Sequence, residues 1–143
     1  MNKLVTGGSG LIGSEFSDYI KVRKNDFNLI DPNHVELMFD KYKPDVVIHT
    51  AAKVGGVLSN MTYKGDFFYE NIMMNTNIIH YAKKYNVKKL IAFLSTCVFP
   101  DKVEYPLDET KIHLGPPHTS NDAYAYAKRM SQVQISAYNE QYG

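Results

Sequence analysis

A chain of 143 residues, 44% hydrophobic and 22% charged, has enough apolar side chain for one domain-sized core and too much for an intrinsically disordered segment. Sixteen basic against fifteen acidic residues leave a formal charge of +1, which excludes the broad single-sign field of a nucleic-acid or anionic-membrane binder. One cysteine excludes an internal disulfide framework and any multi-cysteine zinc site. With no apolar run of roughly 18 residues and no signal-peptide core at the start, the expectation is a cytoplasmic globular protein without nucleic-acid or membrane partners.

Residues 1–5 end in a short apolar run that reads as a strand. Thr6-Gly7-Gly8-Ser9-Gly10-Leu11-Ile12-Gly13 then reads as a glycine-rich turn entering a short helix. A second strand is expected over 19–22. Asp31-Pro32 reads as an N-cap with proline at the first helical position, and Val35, Leu37, Met38 and Phe39 carry that helix to about Tyr42. The near-continuous apolar run over 45–52 is the pattern of a strand buried on both faces. A long helix over 62–85 follows, then another buried strand over 89–96 and a final helix over 122–142. Between the last two, residues 99–121 hold Pro100, Pro106, Gly115, Pro116 and Pro117 and little periodicity. A structureless stretch of that length favours an active-site flap over a plain connector.

Strands alternating with helices need crossover connections, which implies an α/β doubly wound parallel sheet with helices on both faces. No repeat, low-complexity tract or linker divides the chain, so residues 1–143 form one domain, of the Rossmann dinucleotide-binding type.

Three signals carry chemistry. Glycines at 7, 10 and 13 allow a tight turn, close backbone approach to a pyrophosphate and close helix packing. In Tyr124-Ala125-Tyr126-Ala127-Lys128, positions i and i+4 share a helix face, so the Lys128 ammonium can lie near the Tyr124 phenol and favour its ionised form. Tyr126 has Met130 at i+4 and no local cation. Ser95-Thr96-Cys97 closes the strand predicted over 89–96, at the sheet end where parallel sheets bind ligands. Strand alternation there would point Ser95 and Cys97 the same way. Cofactor choice follows from the end of the second strand: Val22 precedes Arg23 and Lys24 where an NAD-binding carboxylate would stand, which suits the 2′-phosphate of NADP. Asp26 lies close by.

The order glycine turn, strand-end serine, then Tyr-x-x-x-Lys resembles the extended short-chain dehydrogenase/reductase family. Ala51-Ala52-Lys53-Val54-Gly55-Gly56, Ser95-Thr96-Cys97-Val98-Phe99-Pro100 and His118-Thr119-Ser120-Asn121 before Tyr124 are similar to its GDP-sugar 3,5-epimerase/4-reductases. That resemblance implies NADPH-dependent epimerisation and reduction of a GDP-4-keto-6-deoxy-hexose. In it Tyr124 protonates the C4 oxygen, Ser95 hydrogen-bonds the C4 carbonyl, Lys128 holds the nicotinamide ribose and lowers the phenol's pKa, and Cys97 is the epimerisation base. It further implies that Gly7, Gly10, Leu11, Ile12, Gly13, Ala51 and Ala52 hold the cofactor. Asp31 carries over from the family's adenine-side segment, and Asn71 matches an asparagine near the active site, although a helix-surface amide reads as readily. His49, His80, His113 and His118 have no metal-ligand spacing.

The helix over 62–85 is apolar on more than one stripe, and the family dimerises through this helix and the one over 122–142, so a homodimer is expected. Two departures stand out. The stretch from Gly13 to Asp31 is shorter than the family pattern, so the first helix and second strand must be abbreviated. The sequence also stops at Gly143, whereas the family continues with a sixth strand, a histidine acid partner for Cys97 and a substrate domain. The expectation is a piece of a longer polypeptide whose fifth strand is an open edge. Two rival readings are another extended reductase or NAD-dependent sugar epimerase, and a non-catalytic NADP-binding or oligomerising module.

Overall fold

The computed structural model describes residues 1–143. Strands β1 (Lys3–Thr6), β2 (Ile20–Val22), β3 (Val46–His49) and β4 (Lys89–Ala92) form one parallel sheet in the order β2-β1-β3-β4. Leu4 stands opposite Ile20 and Val47, and Val47 opposite Leu90, so by alternation Leu4, Val22, Val47 and Leu90 share one face. Helices α1 (Pro32–Tyr42) and α3 (Lys64–Lys84) cover that face with Val35, Met38 and Phe39 from the first and Ile78 and Ala82 from the second. A short α2 (Val57–Thr62) precedes α3, and α4 (Asp122–Tyr142) packs along α3. The second apolar side of α3 therefore meets α4 of its own chain, although Phe68 and Tyr69 stay exposed.

The other face carries Lys3, Val5, Lys21, Ile48 and Ile91. Here the expected first helix contracts to a single 3-10 turn, Gly13–Glu15, because few residues separate the glycine turn from β2. Lys21 Nζ donates to the Ser14 carbonyl (2.8 Å) and Lys3 Nζ lies 5.5 Å from the Tyr19 ring centroid. On this face Val5 and Ile48 are buried, while Ile91 at the far side is 39% exposed.

Element ends differ from the sequence reading for identifiable reasons. β4 stops at Ala92, and Lys89 and Ile91 are exposed. It is an edge strand with one face uncovered, so the doubly buried run expected over 89–96 is corrected. The four strands read along the sequence form, one fewer than the family's count implied, and the last of them is an open edge as expected; the open edges are β2 and β4. The long helix begins at Lys64, after a break at Tyr63 (φ −112°, ψ 40°) that separates it from α2. Asp31 caps α1 as expected: its Oδ1 accepts the Asn33 N–H at 2.8 Å, with Pro32 following. Lys43 ends the helix in the left-handed region at φ 42°. No helix is long and apolar enough to cross a membrane.

Candidate active site

Two neighbouring sites lie at the carboxyl end of the sheet. The first is a cleft of about 570 Å³ where β1, leading to β2, parts from β3, the switch point of a doubly wound sheet. Its floor is the Gly7–Gly13 turn, one wall is Thr50–Val54, and Arg23 and Lys24 line the far end.

Gly7 has φ +69°, and a Cβ there would come within 2.8 Å of the Ala51 amide nitrogen. A Cβ on Gly13 would collide with the Gly7 carbonyl. Both glycines are therefore required for the turn to close against β3. Gly10 N–H donates to the Gly7 carbonyl (2.9 Å), while the N–H groups of Ser9, Leu11 and Ile12 donate to nothing in the chain. These unpaired donors, rather than a helix dipole, are the turn's offer to an anion, since the 3-10 turn is too short to carry one.

The wall opposite is pinned from two sides. Thr50 Oγ1 donates to the Thr6 carbonyl (2.7 Å). Asn71 is fully buried, not on the helix surface: its Oδ1 accepts Lys53 N–H (2.9 Å) and its Nδ2 donates to the Lys53 and Phe67 carbonyls (3.0 and 2.7 Å). Glu70, the one carboxylate lining the cleft, is ion-paired with Lys53. Asp26 accepts the Arg23 backbone N–H at 2.8 Å, and neither the Arg23 nor the Lys24 side chain is in an ion pair. A cleft rich in unpaired donors, with its only acid neutralised, fits a phosphorylated dinucleotide. Asp31 lies outside this lining; its carboxylate serves α1.

The second site sits where β4 ends. Phe93 N–H still bonds the His49 carbonyl (3.1 Å), and the chain then leaves the sheet. Ser95 is extended (φ −139°, ψ 153°) and caps a 3-10 turn over Thr96–Val98, its Oγ accepting the Cys97 N–H at 3.3 Å. Strand alternation thus does not operate between Ser95 and Cys97, correcting the reason given for their pairing. They come together through this turn instead. The Tyr124 phenol lies near both, close enough for the Ser95 hydroxyl and Cys97 to act on its ionisation. Asn121 Nδ2 donates to Cys97 Sγ at 2.9 Å.

The Tyr-Lys pair differs from expectation. Burial holds the Tyr124 pKa above its ordinary value, the nearby Ser95 hydroxyl opposes this, and Cys97 adds to the rise. The Lys128 side chain is engaged elsewhere. Its ammonium donates to the Phe93 carbonyl at 3.2 Å, and burial pulls its own pKa down to about 8. Helical spacing put both residues on one side of α4, but the buried carbonyl took the cation. Tyr126 does have a local cation, the Arg129 guanidinium 5.2 Å from its ring.

Two supports escaped the sequence reading. His49 is buried, its Nδ1 2.7 Å from Thr6 Oγ1 and its Nε2 2.9 Å from Asn75 Oδ1. Asn75 Nδ2 donates to the Ala127 carbonyl (3.3 Å). Asn75 therefore accepts from His49 Nε2–H, and His49 Nδ1 accepts from Thr6. Burial and the adjacent Lys128 charge push the His49 pKa down to about 4, so the ring is neutral. Arg129, 5% exposed, donates from Nε and Nη2 to the Val98 carbonyl (3.0 and 2.6 Å) and from Nη1 to that of Gly115 (3.1 Å). Polar residues interrupting apolar runs in β3, α3 and α4 were the available signal for both.

A parallel sheet with a glycine turn at its switch point and a Ser-Tyr pair at the next strand end defines a dinucleotide-fold protein of the short-chain reductase kind. The family profile described as NAD dependent epimerase/dehydratase family matches residues 3–143, and the chain belongs to that family. It is 51% identical over 151 aligned positions to a GDP-L-fucose synthase of Dictyostelium discoideum, covering 98% of this chain and 47% of that protein. A probable GDP-L-fucose synthase of Drosophila melanogaster is 42% identical, with coverage of 98% and 47%. The crystal structure of a GDP-L-fucose synthetase from Naegleria fowleri bound to NADP superposes with a TM-score of 0.88 at 44% identity, covering 97% of this chain and 44% of that one. The chain spans about half the length of the relatives it matches.

Proposed function

We propose that the chain is the cofactor-binding and catalytic part of a cytoplasmic NADP-dependent nucleotide-sugar epimerase-reductase that converts a GDP-4-keto-6-deoxy-hexose to GDP-L-fucose. The observation that carries this reading is the meeting of Ser95, Cys97 and Tyr124 at the sheet's carboxyl end, beside the dinucleotide cleft.

NADP would be held by the Gly7–Gly13 turn, Ala51 and Ala52, with Arg23 and Lys24 toward its 2′-phosphate; when bound and reduced it supplies a hydride equivalent to C4. Ser95 Oγ donates to the C4 carbonyl oxygen and orients it. Tyr124, kept protonated by burial, gives its phenolic proton to that oxygen as the carbonyl is reduced. Positioned acids of this kind contribute about 10²–10⁴-fold. In epimerisation Cys97 takes the proton from C3 or C5: the C–H bond breaks, an S–H bond forms, and the electron pair moves to the C4 oxygen, where Ser95 and Tyr124 stabilise it. Reprotonation from the opposite face by a solvent water, whose O–H bond breaks as the electron pair returns from the C4 oxygen to carbon, inverts the centre.

The same reading includes a homodimer through residues 62–85 and 122–142, supported by exposed Phe68, Tyr69 and Val133 on those helices; a monomeric mass at micromolar concentration would remove it. The enzymatic proposal is tested by incubating the purified chain with NADPH and the GDP-4-keto sugar while following the reduced nicotinamide's absorbance. Consumption dependent on the sugar is expected. Cofactor retention without turnover would overturn it in favour of a binding module.

A further inference from the structure

Asn121 ends the segment before α4, and its amide is committed to a single contact. Nδ2 donates to Cys97 Sγ at 2.9 Å, while Oδ1 is buried and has no partner. A buried amide oxygen left unpaired costs about 1–3 kcal/mol, and the sulfur is the one side-chain partner the amide has. An N–H donor beside sulfur stabilises the deprotonated form, because a thiolate accepts hydrogen bonds more strongly than a thiol. Rotating the amide by half a turn would present Oδ1 to an S–H instead and leave Nδ2 unpaired in its place. The two orientations thus match the two protonation states of the sulfur, each with one orphaned atom.

The charged and titratable groups around the sulfur are few. Tyr124 faces it from α4. Lys128, one turn further along α4, is turned away to Phe93. His118 pairs with Ser120 Oγ (2.7 Å), and its Nε2 lies 4.0 Å from Asp101. No lysine, arginine or histidine nitrogen hydrogen-bonds the sulfur, and Asn121 is its donor.

We propose that Asn121 is a positioning residue for Cys97, aiming the sulfur and stabilising its deprotonated form, with an amide rotation available when the sulfur takes up a proton. This deepens the epimerase reading and rests on it for its consequence, the removal of protons from C3 and C5.

Cys97 is the only cysteine, so alkylation of the purified chain by iodoacetamide reports on it directly. In Asn121→Asp, which replaces the donor by a carboxylate of the same shape, the alkylation rate at neutral pH should fall about tenfold. The pH of half-maximal alkylation should rise by about one unit. Asn121→Ala adds no charge and should shift both in the same direction by less. It also keeps the test decisive if the aspartate variant does not fold, which circular dichroism would reveal. Profiles of a folded alanine variant that superpose on the parent overturn the inference. Deuterium incorporation from solvent at C3 and C5 of the keto sugar separates the two claims. Shifted alkylation without exchange in the parent would remove the epimerase reading and leave the Asn121 contact standing; exchange with superposed profiles would do the reverse.

Discussion

Lys128 Nζ and the Phe93 carbonyl oxygen are 3.2 Å apart, a bond that joins the second turn of α4 to the first residue after β4. It fixes the helix bearing Tyr124 against the strand end bearing Ser95. The carbonyl is a partial partner for a cation that is 3% exposed, so the charge costs folding free energy.

That cost has a definite pH window. Burial lowers the Lys128 pKa from 10.5 to about 8, so between those values the unfolded chain binds more protons and stability rises with pH. Below about 8 both states are charged and the penalty is complete. Lys128→Met should therefore be more stable than the parent at pH 7 by about 3 kcal/mol, with the advantage vanishing as pH approaches 10.5. Urea midpoints across that range check it; a constant difference would mean the lysine is not buried charged.

His49 predicts the acid limb. Its pKa falls from 6.5 to about 4, so stability is complete above 6.5, declines as pH drops, and is lost through 4, by about 2–3 kcal/mol in all. Protonation must break the bond from Thr6, because Nδ1 can then no longer accept it. Replacing the ring by His49→Gln should flatten the profile between pH 4 and 6.5 while lowering stability at pH 7.

Gly7→Ala places a side chain at φ +69° and a Cβ against the Ala51 amide. Strain of about 1–2 kcal/mol from the left-handed backbone adds to displacement of the 50–54 wall. A loss of about 2–4 kcal/mol in denaturant melts is expected, together with loss of NADP retention on a dye or calorimetric assay. Unchanged NADP binding would show that the turn is not the cofactor's cradle.

Tyr124→Phe keeps the ring in place and removes the hydroxyl beside Ser95. Reduction of the keto sugar should drop by about 10²–10⁴-fold with NADP affinity unchanged, read from single-turnover absorbance traces and a binding titration. Equal turnover would assign the proton donor elsewhere.

Local signals were legible in the sequence wherever one residue's chemistry decides the backbone. Asp31-Pro32 could only start a helix, and Gly7 and Gly13 sit where any Cβ would collide. The positions of Ser95 and Cys97 were anticipated but their geometry was not, since β4 ends at Ala92 and a 3-10 turn follows. An edge strand with one open face has little to hold it beyond that point. The partner of Lys128 was hidden for a similar reason: helical periodicity fixes the side of α4, whereas the choice between phenol and Phe93 carbonyl depends on three-dimensional burial. Asn71, Asn75 and Arg129 look like ordinary surface residues in a one-dimensional pattern. Only packing shows that each is an internal tie.

Arg129 gathers the Val98 and Gly115 carbonyls under one guanidinium, and Asp101 N–H bonds the Pro116 carbonyl beside them at 2.9 Å. The proline-rich excursion is thus a pouch drawn shut at its neck, with Ser95 and Tyr124 on the fixed side of the drawstring. Its outer residues can diverge, lengthen or meet different ligands without transmitting strain to the proton-transfer groups, while loss of that one arginine would loosen both ends at once.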